Sequence, residues 1–158
     1  GFYAEMEAAR RPPASGARAI LYQDLGSAAT PGSILGHILA HTGFRNVIEG
    51  DNAVGLIYPG IEDVIALRPE LIALGIYRPD APSQASALLA HPALRLYRAR
   101  HAEEVHLTAR DWTCSTRYVA RTAAQLAATY DEMKAARIAS TLPLREGQTA
   151  SGGLGRGR

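Results

Sequence analysis

Three short apolar runs constrain this chain most: RAILYQ at residues 18–23, ELIALGI at 70–76 and EVHL at 104–107. Each has the length of a strand, and the segments between them carry apolar residues at helical spacing. Repeated strand and helix in alternation is the pattern of parallel strands joined by right-handed crossovers, with helices covering both faces of the sheet. The middle run is continuously apolar, as a strand buried on both sides requires. The sequence therefore predicts an α/β fold: three αβα layers around a mostly parallel, Rossmann-like central sheet.

The intervening segments follow from local chemistry. Phe2, Met6 and Ala9 share one face of a short helix that stops before Pro12-Pro13, and residues 12–16 read as a linker. Residues 33–42, SILGHILAHT, form a helix with Ile34, Leu35, Ile38 and Leu39 on one stripe, Pro31 in its first turn and Gly43 as its stop. Residues 46–48 are expected to be a short edge strand, 51–60 a loop, and 61–67 a helix ended by Arg68-Pro69. Ser83 is placed to cap a helix over 83–89, which His91-Pro92 breaks, with a further turn over 93–99. The last helix, 116–138, has Val119, Ala123, Leu126, Ala127, Tyr130 and Met133 along one side. The ending QTASGGLGRGR is Gly-rich, and residues 145–158 are expected to be a disordered tail.

Charge narrows the partners. The formal net charge of +2 is supplied by the last fourteen residues, where Arg145, Arg156 and Arg158 outweigh Glu146. The body is close to neutral, which argues against nucleic acid as a partner. The single cysteine, Cys114, permits no internal disulfide and no cysteine-based metal cluster. Residues 1–11 are charged and helix-forming, without the apolar stretch of a signal peptide, so a mature form or a piece of a longer protein is expected.

In parallel α/β sheets ligands sit at the carboxyl ends of the strands. Three segments occupy those ends: residues 24–32, 77–82 and 109–115. Together with the flanking positions they bring Tyr58, Tyr77, Arg78, Trp112 and Arg117 to one rim. Flat aromatic surface with guanidinium groups suits a large, partly apolar, partly anionic ligand. Other chemistries find less support. Cys114 lies just ahead of a helix and could be activated there, with His37, His41, His91, His101 or His106 as base; a small α/β enzyme built on such a pair, or on an anion held at the Ser33 helix, is the alternative reading. Yet His37 and His41 have no acidic partner at useful spacing, His91 precedes a proline in a loop, and Cys114 also suits packing. His37 and His41 share a helix face, but two ligands do not make a metal site. The loop DLGSAATPGS could cradle an anion at a helix N-terminus, although it matches neither nucleotide-binding spacing and no lysine follows. A ligand-free, dimerising interaction domain is the third class.

Taken in order, DLGSAATPGSILGHILAHTGFRNVIEG, PGIEDVIALRPELIAL and RDWTCSTRYVARTAAQLA resemble the C-terminal lobe of periplasmic substrate-binding proteins of the cobalamin, iron-siderophore and haem import type. The resemblance spans about residues 17–128. It implies two α/β lobes joined by a long rigid helix, with the ligand between them. Residues 1–13 would be the end of that helix and a linker, and 14–144 the C-terminal lobe. It further implies binding without catalysis, no cofactor, a periplasmic location, and delivery of an iron-siderophore, haem or cobalamin to an ABC permease in the inner membrane. Glu62 falls where the family keeps an acidic residue that pairs with permease arginines, although Gly60 replaces a usual polar residue. Asp111 and Trp112 match an Asp-Trp of cobalamin-binding members. Arg117 matches the arginine of a common Pro-Arg, with Thr116 in place of the proline. Ser27, Thr30, Tyr58, Tyr77 and Arg78 complete the ligand contacts expected on this basis.

Overall fold

The computed structural model describes residues 1–13, 17–50, 56–76, 81–108, 110–111 and 118–141. Among these, six helices pack on a six-stranded sheet. In chain order the elements are α1 (Phe2–Ala9), β1 (Arg18–Gln23), β2 (Ala28–Ala29), α2 (Ile34–His41), β3 (Arg45–Asn46), β4 (Leu56–Ile57), α3 (Ile61–Leu67), β5 (Leu71–Ile76), α4 (Gln84–Ala90), α5 (Pro92–His101), β6 (Glu103–Thr108) and α6 (Val119–Thr141).

The strands lie in the order β4-β2-β1-β5-β6, and β3 also pairs with β1. β1, β3, β5 and β6 are parallel, whereas β2 runs antiparallel to both β1 and β4. The sheet is thus mostly parallel, as the apolar runs require. β3 meets β1 at Arg18 and Ala19, near its amino end, and β2 meets it at Tyr22, near its carboxyl end. One flank of β1 is therefore shared by two short strands at different heights.

Side chains alternate across the sheet, and this builds two cores. Ala19, Leu21, Leu71, Ala73, Val105 and Leu107 face α1, α2 and α6. Ile20, Tyr22, Ile72 and Leu74 face α3, α4 and α5. Ile20, Leu21, Leu71, Ile72, Leu74 and Leu107 are almost wholly buried, and truncating one such leucine to alanine costs about 2–5 kcal/mol.

Local chemistry sets the element ends. Ser33 Oγ accepts from Gly36 N at 3.1 Å and starts α2, so Pro31 lies two residues ahead of the cap and outside the first turn. Gly43, at φ 89°, ends α2 in the left-handed region that glycine tolerates. Ser83 and Ser86 cap α4 reciprocally, each hydroxyl accepting from the other's backbone N–H at 3.0 and 2.8 Å. α5 starts with Pro92 at its first position and runs ten residues, a full helix where the sequence predicts only a turn.

Several further expectations need correction. The segments 24–32 and 51–60 each contain a short strand: β2 pairs with the carboxyl end of β1, and β4 pairs with the outer edge of β2. Ile34 is 59% exposed, since it begins α2, and Gly36 takes its place on the inward face. The edge strand expected at 46–48 ends at Asn46; Val47 and Ile48 follow it into the core. α6 runs on to Thr141. The expected tail, 145–158, lies outside the described residues.

Candidate functional site

β1, β5 and β6 end together. Gln23 pairs with Gly75, and Ile76 with Thr108. The segments that follow them consequently start along one side of the molecule, the carboxyl end of the sheet. α3 and α6 begin on the same side and run toward the amino end, where Leu67 O accepts from Arg18 and Arg137 pairs with Glu70.

Apolar groups stand open there. Leu25, in the turn after β1, is 73% exposed, and Tyr58, directly after β4, is 67% exposed. Leu56 and Ile57 of β4 are also exposed. Beside them a groove of about 430 Å³, lined by Ile57, Tyr58, Pro59, Asp63, Ala66 and Leu67, runs along α3 toward the amino end of the sheet. Burying such groups is favourable at about 25 cal/mol per Å² of apolar surface. This end of the sheet is chemically suited to being covered.

Beneath that surface the backbone is tightly held. The Tyr22 hydroxyl donates to Pro59 O at 3.0 Å, fixing the approach to α3, and burial pushes its phenol pKa up. Asn46 Nδ2 donates to Ala29 O at 2.8 Å and ties β3 to β2. A Cβ at Gly36 would stand 2.1 Å from Thr30 O, so α2 can pack on the turn only with glycine there. Gly36 is a residue that sequence reading passed over. Glycine inside a helix was its only signal, and that signal does not say what backbone lies opposite.

The expected contact residues divide into four groups. Tyr58 is exposed, and Glu62 is exposed in the first turn of α3, where Asp63 turns back to accept from Gly60 N at 2.9 Å. Asp111 is half-buried and accepts from Thr108 Oγ1 at 2.7 Å. Ser27 and Thr30 are each only 1% exposed and form the floor of the turn, not its surface. Tyr77, Arg78, Trp112 and Arg117 lie outside the described residues, as does Cys114.

Beside them stands a group absent from the expected contacts. Arg110 Nη2 donates to the Tyr118 hydroxyl at 2.9 Å, with its Cζ 4.7 Å from that ring's centroid. Arg121 Cζ lies 5.6 Å from the same centroid.

Four of the five histidines make contacts within the fold. His41 Nε2 lies 2.8 Å from Met6 O and ties α2 to α1. His91 Nδ1 accepts from Ala93 N at the start of α5. His101 packs on Tyr97, and His106 pairs with Glu104. Among the described residues no three His, Cys, Asp or Glu side chains gather as a metal site, and no helix is long and apolar enough to cross a membrane.

No protein-family model and no curated protein matches the sequence. Solved structures match the fold. An ABC-type Fe3+-hydroxamate transport system from Saccharomonospora viridis aligns with a TM-score of 0.63 at 19% identity, over 82% of this chain and 46% of that one. The periplasmic haem-binding protein BhuT, solved with two haems, gives 0.63 at 19%, over 83% and 53%. The periplasmic vitamin B12 binding protein BtuF of Vibrio cholerae gives 0.58 at 15%, over 89% and 51%. This is the fold of a binding-protein lobe. The chain spans about half the length of each of these proteins, and at these identities the likeness is one of fold.

Proposed function

We propose that the chain is the C-terminal lobe of the substrate-binding component of an ABC importer. In this reading it captures cobalamin, a ferric siderophore or haem outside the cytoplasmic membrane and hands it to the permease, without catalysing a reaction. The observation that carries the reading is that binding proteins for all three kinds of cargo share this fold over about half their length. The open apolar groups at the carboxyl end of the sheet support it, because a broad, rigid cargo and a facing lobe would cover them. α1 would be the end of the inter-lobe helix. It packs along α6, and Arg11 pairs with Asp131 at 2.7 Å, which would hold this lobe firmly to that helix.

Exposed Glu62 is assigned to permease docking, where a carboxylate on a short helix meets a basic partner surface. Calorimetric titration of the full-length protein with cyanocobalamin, haemin and a ferric siderophore tests the reading. Saturable binding of one of them is expected, and a folded protein that binds none contradicts it. Glu62→Lys should leave that affinity unchanged while weakening capture by the permease; equal capture by both proteins would remove Glu62 from the docking surface.

A further inference from the structure

Exposed Tyr58 follows a strand of only two residues at the edge of the sheet. So short a ladder fixes little of what comes after it. The support comes from the sheet's centre. Tyr22 of β1, Ala28 of β2 and Ile57 of β4 form one row across three strands, and on its other flank Tyr22 pairs with Leu74 of β5. The Tyr22 backbone is thus held from both sides. Its side chain is buried, and its hydroxyl donates to Pro59 O at 3.0 Å, across 37 residues of sequence.

The same turn is gripped from α3. Gly60 N donates to Asp63 Oδ2 at 2.9 Å, and Val64 N donates to Gly60 O at 3.0 Å. The two residues after Tyr58 are therefore clamped between the central strand and the helix, and the proline fixes its own φ. A side chain already held in place loses less freedom when a ligand packs on it. The far end of α3 carries a matched bond. There the Tyr97 hydroxyl donates to Pro69 O at 2.7 Å. Donor type, acceptor type and helix are the same, but this bond lies at the amino end of the sheet, away from Tyr58.

We infer that Tyr22 is a positioning residue for cargo binding: through Pro59 it holds Tyr58 against the molecule that fills the cleft, a role the Tyr97 bond does not share. This rests on the importer reading and adds to its site a buried residue that touches no cargo itself. The experiment titrates the full-length protein and its variants with cyanocobalamin, haemin and a ferric trihydroxamate, and follows the probe that binds the wild type most tightly.

Tyr22→Phe keeps the ring and removes the donor, so affinity should fall about fivefold, the scale of one hydrogen bond. Tyr97→Phe should leave affinity unchanged. Asp63→Ala frees the turn from the α3 side and should act like Tyr22→Phe. Tyr58→Ser should weaken binding further, and adding Tyr22→Phe to it should change nothing more, because one residue acts through the other. Thermal melts confirm that each variant is folded. Should Tyr22→Phe not fold, Asp63→Ala alone and combined with Tyr58→Ser decides in the same way. Equal losses of affinity in Tyr22→Phe and Tyr97→Phe, additive losses in the double variant, or wild-type affinity in both Tyr22→Phe and Asp63→Ala overturn the inference and leave the importer reading standing. A folded wild-type protein that binds none of the three probes overturns both.

Discussion

The two ends of the sheet are built on opposite principles. At the amino end of the strands, several charges are paired within the protein. Glu70 accepts from Arg18 N at 3.0 Å and pairs with Arg137, Arg18 Nη2 donates to Leu67 O at 2.6 Å, and Arg98 pairs with Glu104 at 2.7 Å. The Tyr97 hydroxyl donates to Pro69 O at 2.7 Å, and burial pushes its phenol pKa up. A groove of about 360 Å³ lies there between α5 and α6, with the Glu70–Arg137 pair in its wall. At the carboxyl end, close backbone packing lies under an open apolar surface. Charge pairing is concentrated at one end and available binding surface at the other, the end where open α/β sheets take their ligands.

Substitutions can break this contrast. The largest expected effect is at Gly36. Adding a methyl group against Thr30 O forces α2 off the turn, and Gly36→Ala should cost about 3 kcal/mol in denaturant unfolding. A wild-type midpoint would show that the turn is not held by this contact. Glu70→Ala comes next. It strips Arg18 N and Arg137 of a shared acceptor at the amino end and should cost about 2 kcal/mol while leaving ligand affinity unchanged. A loss of affinity with intact stability would invert the proposed roles of the two ends.

A smaller effect is expected from pH. The hydrogen bond from Arg11 holds the Asp131 carboxyl below its ordinary value of 3.8. A group lowered in the folded state contributes stability above its unfolded pKa and loses it as pH falls through the folded one. Below about pH 4 the docking of α1 on α6 should therefore weaken. Arg11→Gln should remove that acid dependence, as hydrogen exchange of α1 against pH would show; an unchanged profile would exclude the pair as its source. Smallest in stability are Leu25→Ser and Tyr58→Ser, each within about 0.5 kcal/mol of wild type because little is lost from an exposed site. Their effect should be on binding, and a clear drop in melting temperature would show that these groups are structural.

The sequence made the sheet legible where burial alone decides it. The runs at 18–23 and 70–76 became β1 and β5 almost residue for residue, because a strand covered on both faces must be apolar throughout. The N-cap Ser83 was equally legible, since a hydroxyl ahead of an apolar helix has one common use, whereas Ser33 reads as the first residue of its helix and is in fact its cap. β2 and β4 were not legible, being two residues each and specified by pairing to a neighbouring strand, β2 to β1 and β4 to β2, and not by any pattern of their own. At the site, exposure separated Tyr58 and Glu62 from Ser27 and Thr30, which composition treats alike as polar loop residues. The pairing of Arg110 and Arg121 through Tyr118 spans eleven residues and two elements, so spacing could not reveal it.

Hydrogen exchange of the full-length protein, with and without its tightest-binding cargo, tests the central claim most directly. The account predicts that cargo slows exchange at residues 24–29 and 56–62, at the carboxyl end, and leaves 67–71 and 98–104 unchanged. Protection confined to the amino end, or spread equally over both, would contradict it.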